Sequence, residues 1–294
     1  MLGLAGHRVA LVFGGGGIAG WLFHTGVVDA FERLGWSAND ATLVVGTSAG
    51  SSVAAMLRLG RSADEMHTAF TYEPTREERS QAFADRKAVP RQWAPLSPGL
   101  LAEGLRSGRS GLGLALAGLL PPGRWSSHYL GLADEGFTGP WPDDLWIPAV
   151  DVHTADLVVL GRDERPPLST AISASSALPF LFRPISIDGR CLIDGGVMSP
   201  THATLAAQAA PDVVIVSSPM TRPGVRPFAL HARHQLRDEL AALRRTGTRV
   251  VAVEPGMDAV PAFRSYPRRD RSQADVLRRA GRHAALTALS SGGR

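Results

Sequence analysis

Twice within the first sixty residues a short apolar run ends in a glycine-rich turn and leads into a helical pattern. Few folds accommodate that repetition. Val9-Ala10-Leu11-Val12-Phe13 has no polar interruption, as in a strand buried on both faces of a parallel sheet. Gly14-Gly15-Gly16-Gly17 follows, and residues 21–34 then carry helical spacing. A second run at 42–45 enters Gly46-Thr47-Ser48-Ala49-Gly50, with a small-residue helix predicted over 51–59. Strand, helix, strand, helix in succession predicts an α/β protein with a parallel sheet and right-handed crossovers. Further strands are expected at 145–150, 156–160, 212–217 and 249–253. Helices are expected at 167–174, 202–209, 227–245 and 271–289. There are no internal repeats.

Residues 73–145 read differently. Pro90, Pro95, Pro98, Pro121, Pro122, Pro140 and Pro142 divide them into short pieces, with helices predicted only at 98–107 and 126–133. The apolar stretch 112–117 reads as a buried helix or loop, with a lid as the alternative. At about 150 residues per domain, 294 residues admit two domains or one large one. We read 73–145 as a variable insertion in a single domain over 1–294. Charge is unevenly placed: residues 1–221 carry 16 basic and 21 acidic side chains, residues 222–294 carry 15 and 6. The basic C-terminal segment shows Arg233, Arg237, Arg244 and Arg245 interleaved with leucines, then Arg278, Arg279 and Arg282. Solvated faces of core helices explain this pattern, and attraction to an anionic membrane surface is the second reading. Aromatic interleaving is nearly absent, so no nucleic-acid partner is expected. The single cysteine, Cys191, rules out an intrachain disulfide and fits a reducing compartment. No signal-peptide layout is found at the N-terminus, and the longest uncharged apolar run, 112–120, is far short of the roughly 20 residues that span a bilayer. A cytoplasmic protein, at most peripheral to a membrane, is expected.

Three local patterns carry chemistry. Gly46-Thr47-Ser48-Ala49-Gly50 is a G-x-S-x-G pentapeptide between an apolar run and a helix. A serine on a sharp strand-to-helix turn adopts strained dihedrals, and its flanks must lack bulk for the turn to close. The helix N-terminus that follows favours developing negative charge. An ordinary N-cap serine is the alternative. In the second pattern, Gly14 to Gly20, successive glycines let backbone N–H groups converge without Cβ obstruction, as an oxyanion hole requires. The same string holds Gly15-x-Gly17-x-x-Gly20, a dinucleotide fingerprint. The acidic residue that fingerprint needs after the second strand is replaced here by the 46–50 turn. The third pattern is Ile193-Asp194-Gly195-Gly196, after a turn at Asp188-Gly189; alone it reads as a turn.

Together, and in this order, the three blocks resemble the patatin-like phospholipases. Ala174-Ser175-Ser176-Ala177-Leu178-Pro179 matches a further element of that family, and the resemblance covers about 8–60 and 145–220. It implies a three-layer α/β fold with a central mainly parallel sheet and helices on both faces. It also implies a serine acyl hydrolase with a Ser–Asp dyad, cleaving carboxylic esters of lipids through an acyl-serine intermediate. By position Ser48 would be the nucleophile and Asp194 the general base, with the N–H groups of Gly15, Gly16 and Gly17 holding the oxyanion. No cofactor and no metal are implied; the partner is a lipid or other ester. The family commonly carries Arg or Lys where this chain has Ala19. That substitution shifts the expectation towards neutral esters, with Arg183 the nearest replacement cation. Two rivals stay open. An α/β-hydrolase with a Ser-Asp-His triad would need a late histidine, His231, His234 or His283, all in Arg-rich helical patterns; His202 reads as structural or exposed but lies near the Asp194 block and is the one to watch. His24, His67, His128 and His153 read as structural or exposed. A patatin-like scaffold that binds lipid or protein without turnover would be argued by loss of Ser48 or Asp194, and both are present.

Overall fold

The five apolar residues Val9–Phe13 form strand β1, buried along its whole length, as a run without alternation requires. The computed structural model describes residues 4, 6–71, 89–90, 92–126, 137, 139–222, 224, 229–265 and 271–291. After β1 come helix α1 (Gly17–Arg33), strand β2 (Leu43–Gly46), α2 (Ala49–Arg58) and α3 (Ala63–Thr71). Helices α4 (Pro98–Arg106) and α5 (Leu112–Leu119) precede strands β3 (Leu145–Asp151) and β4 (Leu157–Leu160). Then follow α6 (Leu168–Ser175), β5 (Ile185–Ile187), β6 (Arg190–Asp194) and β7 (Val213–Ser217). The chain continues through α7 (Ala229–Arg245), β8 (Arg249–Val253), α8 (Val260–Ser265) and α9 (Arg271–Ser290). It divides into two compact units: Met1–Thr71 with Pro142–Trp146 and Pro200–Arg294, and Tyr72–Trp141 with Ile147–Ser199.

The first unit is built on a parallel sheet in the order β2-β1-β7-β8, with Leu145 and Trp146 of β3 beside β2. Phe13 stands between Gly46 and Ser217 in register. The carboxyl ends of three strands therefore finish level, the place where open α/β sheets bind ligands. Helix α1 is buried from Ala19 to Phe31 and crosses α9. Asp29 on α1 is buried between Arg33 (3.2 Å), Arg282 (3.0 Å) and Arg278 (3.5 Å), and Arg278 also reaches Asp64 (2.5 Å). Two of the C-terminal arginines read as solvated faces are thus held by carboxylates.

The second unit is antiparallel, β4-β3-β6-β5, with residues 147–151 of β3 in the middle. The β5–β6 hairpin turns on Asp188 (φ 45°) and Gly189 (φ 81°), the left-handed pair that a two-residue hairpin demands. Leu100 of α4 and Leu114 and Ala117 of α5 share a buried cluster with Val150, Ile193 and Val197, so the 112–117 stretch is a packed helix. Across both units the strand pairs are mixed and mostly parallel, as expected. Residues 98–119 pack with 147–199, so the proline-rich stretch contributes to this unit. The helix expected at 202–209 is a 3₁₀ helix, Ala203–Ala209, between left-handed His202 (φ 51°) and Ala210 (φ 44°). Glu239 of α7 fixes its start by accepting the Thr201 hydroxyl (2.5 Å) and the Ala203 N–H (2.9 Å). The helix predicted at 126–133 lies, beyond Ser126, outside the described residues. Among the described residues no helix is long and apolar enough to cross a membrane.

Candidate active site

Ser48 occupies the single residue position between Thr47, which follows β2, and the first residue of α2. Its backbone is left-handed, φ 53° and ψ −121°. For a residue with a Cβ such a conformation costs about 1–3 kcal/mol and persists only where the surroundings over-determine it. They do so here. The Thr47 N–H donates to the Phe13 carbonyl (2.9 Å), and the buried Ser51 hydroxyl donates to the carbonyl of Ser48 itself (2.5 Å). A Cβ on Gly46 would lie 2.5 Å from the Gly50 carbonyl oxygen, and one on Gly50 would lie 2.0 Å from that of Phe13. The glycines at both ends of the pentapeptide are therefore required by backbone contact. Ser48 is half-buried, and among the described residues its side chain makes no capping bond to α2. The N-cap alternative is thereby set aside. The Ser51 latch had no sequence signal beyond a small polar residue.

The glycine loop lies against this turn. A Cβ on Gly15 would sit 3.5 Å from that of Ser48. The Gly14 N–H donates to Ser217 (2.9 Å) and the Gly15 N–H to the Pro200 carbonyl (2.7 Å). In this structure the Gly15 donor is engaged by that carbonyl, and the residue allows the close approach to Ser48. Gly16 is the N-cap of α1 and Gly17, at φ 57°, its first residue, with open space where a side chain would be. Their N–H groups are among those that no helix satisfies internally. Ala19 is buried in the first turn of α1.

His24, read as structural or exposed, is fully buried beneath the loop. Its Nε2–H donates to the Gly14 carbonyl and its Nδ1 accepts from the Ser217 hydroxyl, both at 2.7 Å. Because a carbonyl can only accept, the proton sits on Nε2. Burial lowers the His24 pKa to about 4, against the smaller opposing effect of the Gly14 bond. The folded protein therefore excludes a proton that the unfolded chain takes up from about pH 6.5 downwards. Stability attributable to His24 is fully present above pH 6.5. It falls by about 3 kcal/mol on the way to pH 4 and is flat below. Urea unfolding across this range should show that slope in the wild type and lose one proton's share of it in His24→Gln; equal slopes would sink the assignment.

Asp194 ends β6 in the second unit, 4% exposed, with Ala149 as its cross-strand partner. Its carboxylate accepts the Gly196 N–H (2.7 Å) and its own N–H donates to the Ala177 carbonyl (3.2 Å). A Cβ on Gly196 would meet the carboxylate oxygen at 3.0 Å, which explains a glycine there. Of the triad histidines, His283 and His234 are exposed on helices, His234 tied to the Leu230 carbonyl (2.7 Å), while His202 is buried. Among the described residues no group of three His, Cys, Asp or Glu side chains could hold a metal.

A family model described as patatin-like phospholipase matches residues 11–207. An uncharacterised NTE family protein of Mycobacterium bovis is 28% identical over 220 residues, 74% of this chain and 50% of the relative. An uncharacterised NTE family protein of Mycobacterium tuberculosis matches to the same extent. The chain thus spans about half the length of the curated relatives it matches. Among solved structures, VipD from Legionella pneumophila aligns with a TM-score of 0.45 at 13% identity, over 97% of this chain and 67% of that one. The type III effector ExoU aligns with 0.47 at 17% identity, over 98% and 53%.

Proposed function

Because the chain belongs to the patatin-like phospholipase family, we propose that it is a serine acyl hydrolase acting on carboxylic esters of lipids, with Ser48 as nucleophile. The observation that carries this reading is Ser48 itself: held at φ 53° on the strand-to-helix turn, half-buried, and placed where the carboxyl ends of β1, β2 and β7 finish level. In the proposed reaction the Ser48 hydroxyl attacks the ester carbonyl and its proton passes to the Asp194 carboxylate. The tetrahedral oxyanion is held by the N–H groups of Gly16 and Gly17, aided by the N-terminus of α2. The C–O bond breaks, the alcohol leaves with the proton, and water activated by Asp194 hydrolyses the acyl-serine. The pairing of Ser48 with Asp194 is supported by motif order, and by the burial of the Asp194 carboxylate at the end of β6. A cytoplasmic enzyme that meets its substrate at a membrane surface completes the proposal.

A fluorophosphonate probe tests it before any substrate is known. Peptide mass spectrometry should find the wild type labelled on Ser48 and no label on Ser48→Ala. Labelling that persists undiminished in Ser48→Ala, or lands on another serine, would defeat the assignment.

A further inference from the structure

Among the described residues, nine of the eleven large apolar side chains that stand exposed belong to the second unit, and six of them are gathered on two adjoining segments, 119–126 and 178–183. These segments run side by side. The Phe180 N–H donates to Pro121 (3.1 Å), Gly123 to Phe182 (3.1 Å), Trp125 to Leu181 (3.2 Å) and Arg183 to Trp125 (2.8 Å). A Cβ on Gly123 would lie 2.1 Å from the Phe182 nitrogen, so only glycine allows the approach. The pair presents Leu119, Leu120, Trp125, Leu178, Phe180 and Leu181 to solvent, from 38% exposed at Trp125 to 52% at Leu119. Phe180 is held at positive φ (72°), a strained conformation for a bulky residue, and the residue is still 39% exposed. The only charges in the two segments are Arg124 and Arg183; there is no acidic residue. The patch also begins beside the candidate base, since Leu178 follows the Ala177 carbonyl that accepts the Asp194 N–H.

We propose that this face is the surface by which the protein docks on a lipid bilayer, a reading that rests on the lipid-hydrolase proposal. Contiguous exposed apolar area of this kind marks an interaction site. Trp, Phe and Leu suit the headgroup boundary, where rings and aliphatic groups enter the acyl region, and the half-buried Arg183 and Arg124, the latter held at Nε by the Val89 carbonyl (3.0 Å), bring positive charge to the phosphate level. A second copy of the chain fits less well, because a two-fold contact through the patch would set its cations against their own images. The C-terminal helix α9 is a poorer membrane contact, because Arg278 and Arg282 are engaged by Asp29 and Asp64.

The test is flotation of the full chain with phosphatidylcholine vesicles, with and without phosphatidylglycerol, on a Ser48→Ala background that leaves the lipid intact. The parent should float with both vesicles, more strongly with the anionic ones, and keep its apolar share of binding at high salt. Trp125→Ser and Leu181→Ser should each weaken partition about tenfold or more, whereas Leu230→Ser, an exposed leucine of the first unit, should not. With Ser48 restored, the two patch variants should hydrolyse a soluble short-chain ester like the wild type. Unaltered flotation of both variants overturns the proposal, as does a parent that ignores vesicles. A wild-type dimer that Trp125→Ser dissolves would assign the face to self-association instead. Flotation is read without turnover, so a wild type that floats but cleaves no ester defeats the hydrolase reading alone.

Discussion

Ser48→Ala is expected to lower kcat on a p-nitrophenyl ester by about 10⁴-fold or more, leaving the unfolding transition within a few tenths of a kcal/mol of the wild type. The loss follows from removing the atom that forms the covalent intermediate; residual turnover would come from binding and the N–H donors of the glycine loop. Asp194→Asn should lose a comparable factor. It keeps an oxygen for the Gly196 N–H, so its fold is retained and the deficit is chemical. Because the two residues act as a unit, the double variant should be little worse than either single one. Ser48→Gly gives the complementary result. It is equally inactive but more stable by about 1 kcal/mol, because glycine relieves the left-handed strain at φ 53°. Near-normal turnover in Asp194→Asn, with loss in His202→Asn or His234→Asn, would replace the dyad by a triad.

What could be read from the sequence follows from how local each signal is. Strands β1 and β7 are nearly continuous apolar runs because they are buried along their whole length, so the run alone locates them. The elbow was legible because its glycines are fixed by contacts within strand-adjacent backbone. Helix α1 begins at Gly17, not near Trp21, because the glycines that signal a loop also form its first turn. Helix α3 was missed, although Ser62-x-x-Glu65 forms a reciprocal capping box: the Ser62 hydroxyl accepts the Glu65 N–H (3.2 Å) and Glu65 accepts the Ser62 N–H (2.8 Å). Its nine residues bury few side chains, so periodicity was weak and the cap was the available signal. His24 was not legible at all as a support for the loop. Its partner Ser217 lies 193 residues away, and nothing local distinguishes it from a surface histidine. The arginines of α9 fail for the same reason, since their partner Asp29 sits near the other end of the chain.

The crossing of α1 and α9 yields a large expected effect on stability at neutral pH, with a sign opposite to helix propensity. In an isolated helix, alanine is favoured over glycine by about 1 kcal/mol. Here a Cβ on Gly26 would stand 1.9 Å from the Arg278 carbonyl oxygen, and one on Gly281 would stand 1.9 Å from that of Phe23. Both obstacles are backbone, which no rotamer change can move, so the helices must part. Parting them also stretches the Asp29 pairs to Arg278 and Arg282 while leaving all three groups partly buried. Gly26→Ala should therefore destabilise the protein by about 2–3 kcal/mol, and Gly281→Ala similarly, read from urea midpoints at constant slope. Each substitution opens the same seam, so the double variant should fall short of the sum by about 1 kcal/mol. Neutral or stabilising single effects would mean that the close crossing does not exist in solution. His24 lies two residues before Gly26 on the same helix, and Gly17 begins it. Ester turnover by Gly26→Ala should consequently fall at temperatures where the protein is still folded, because the displaced helix carries the loop donors away from Ser48 before the sheet melts.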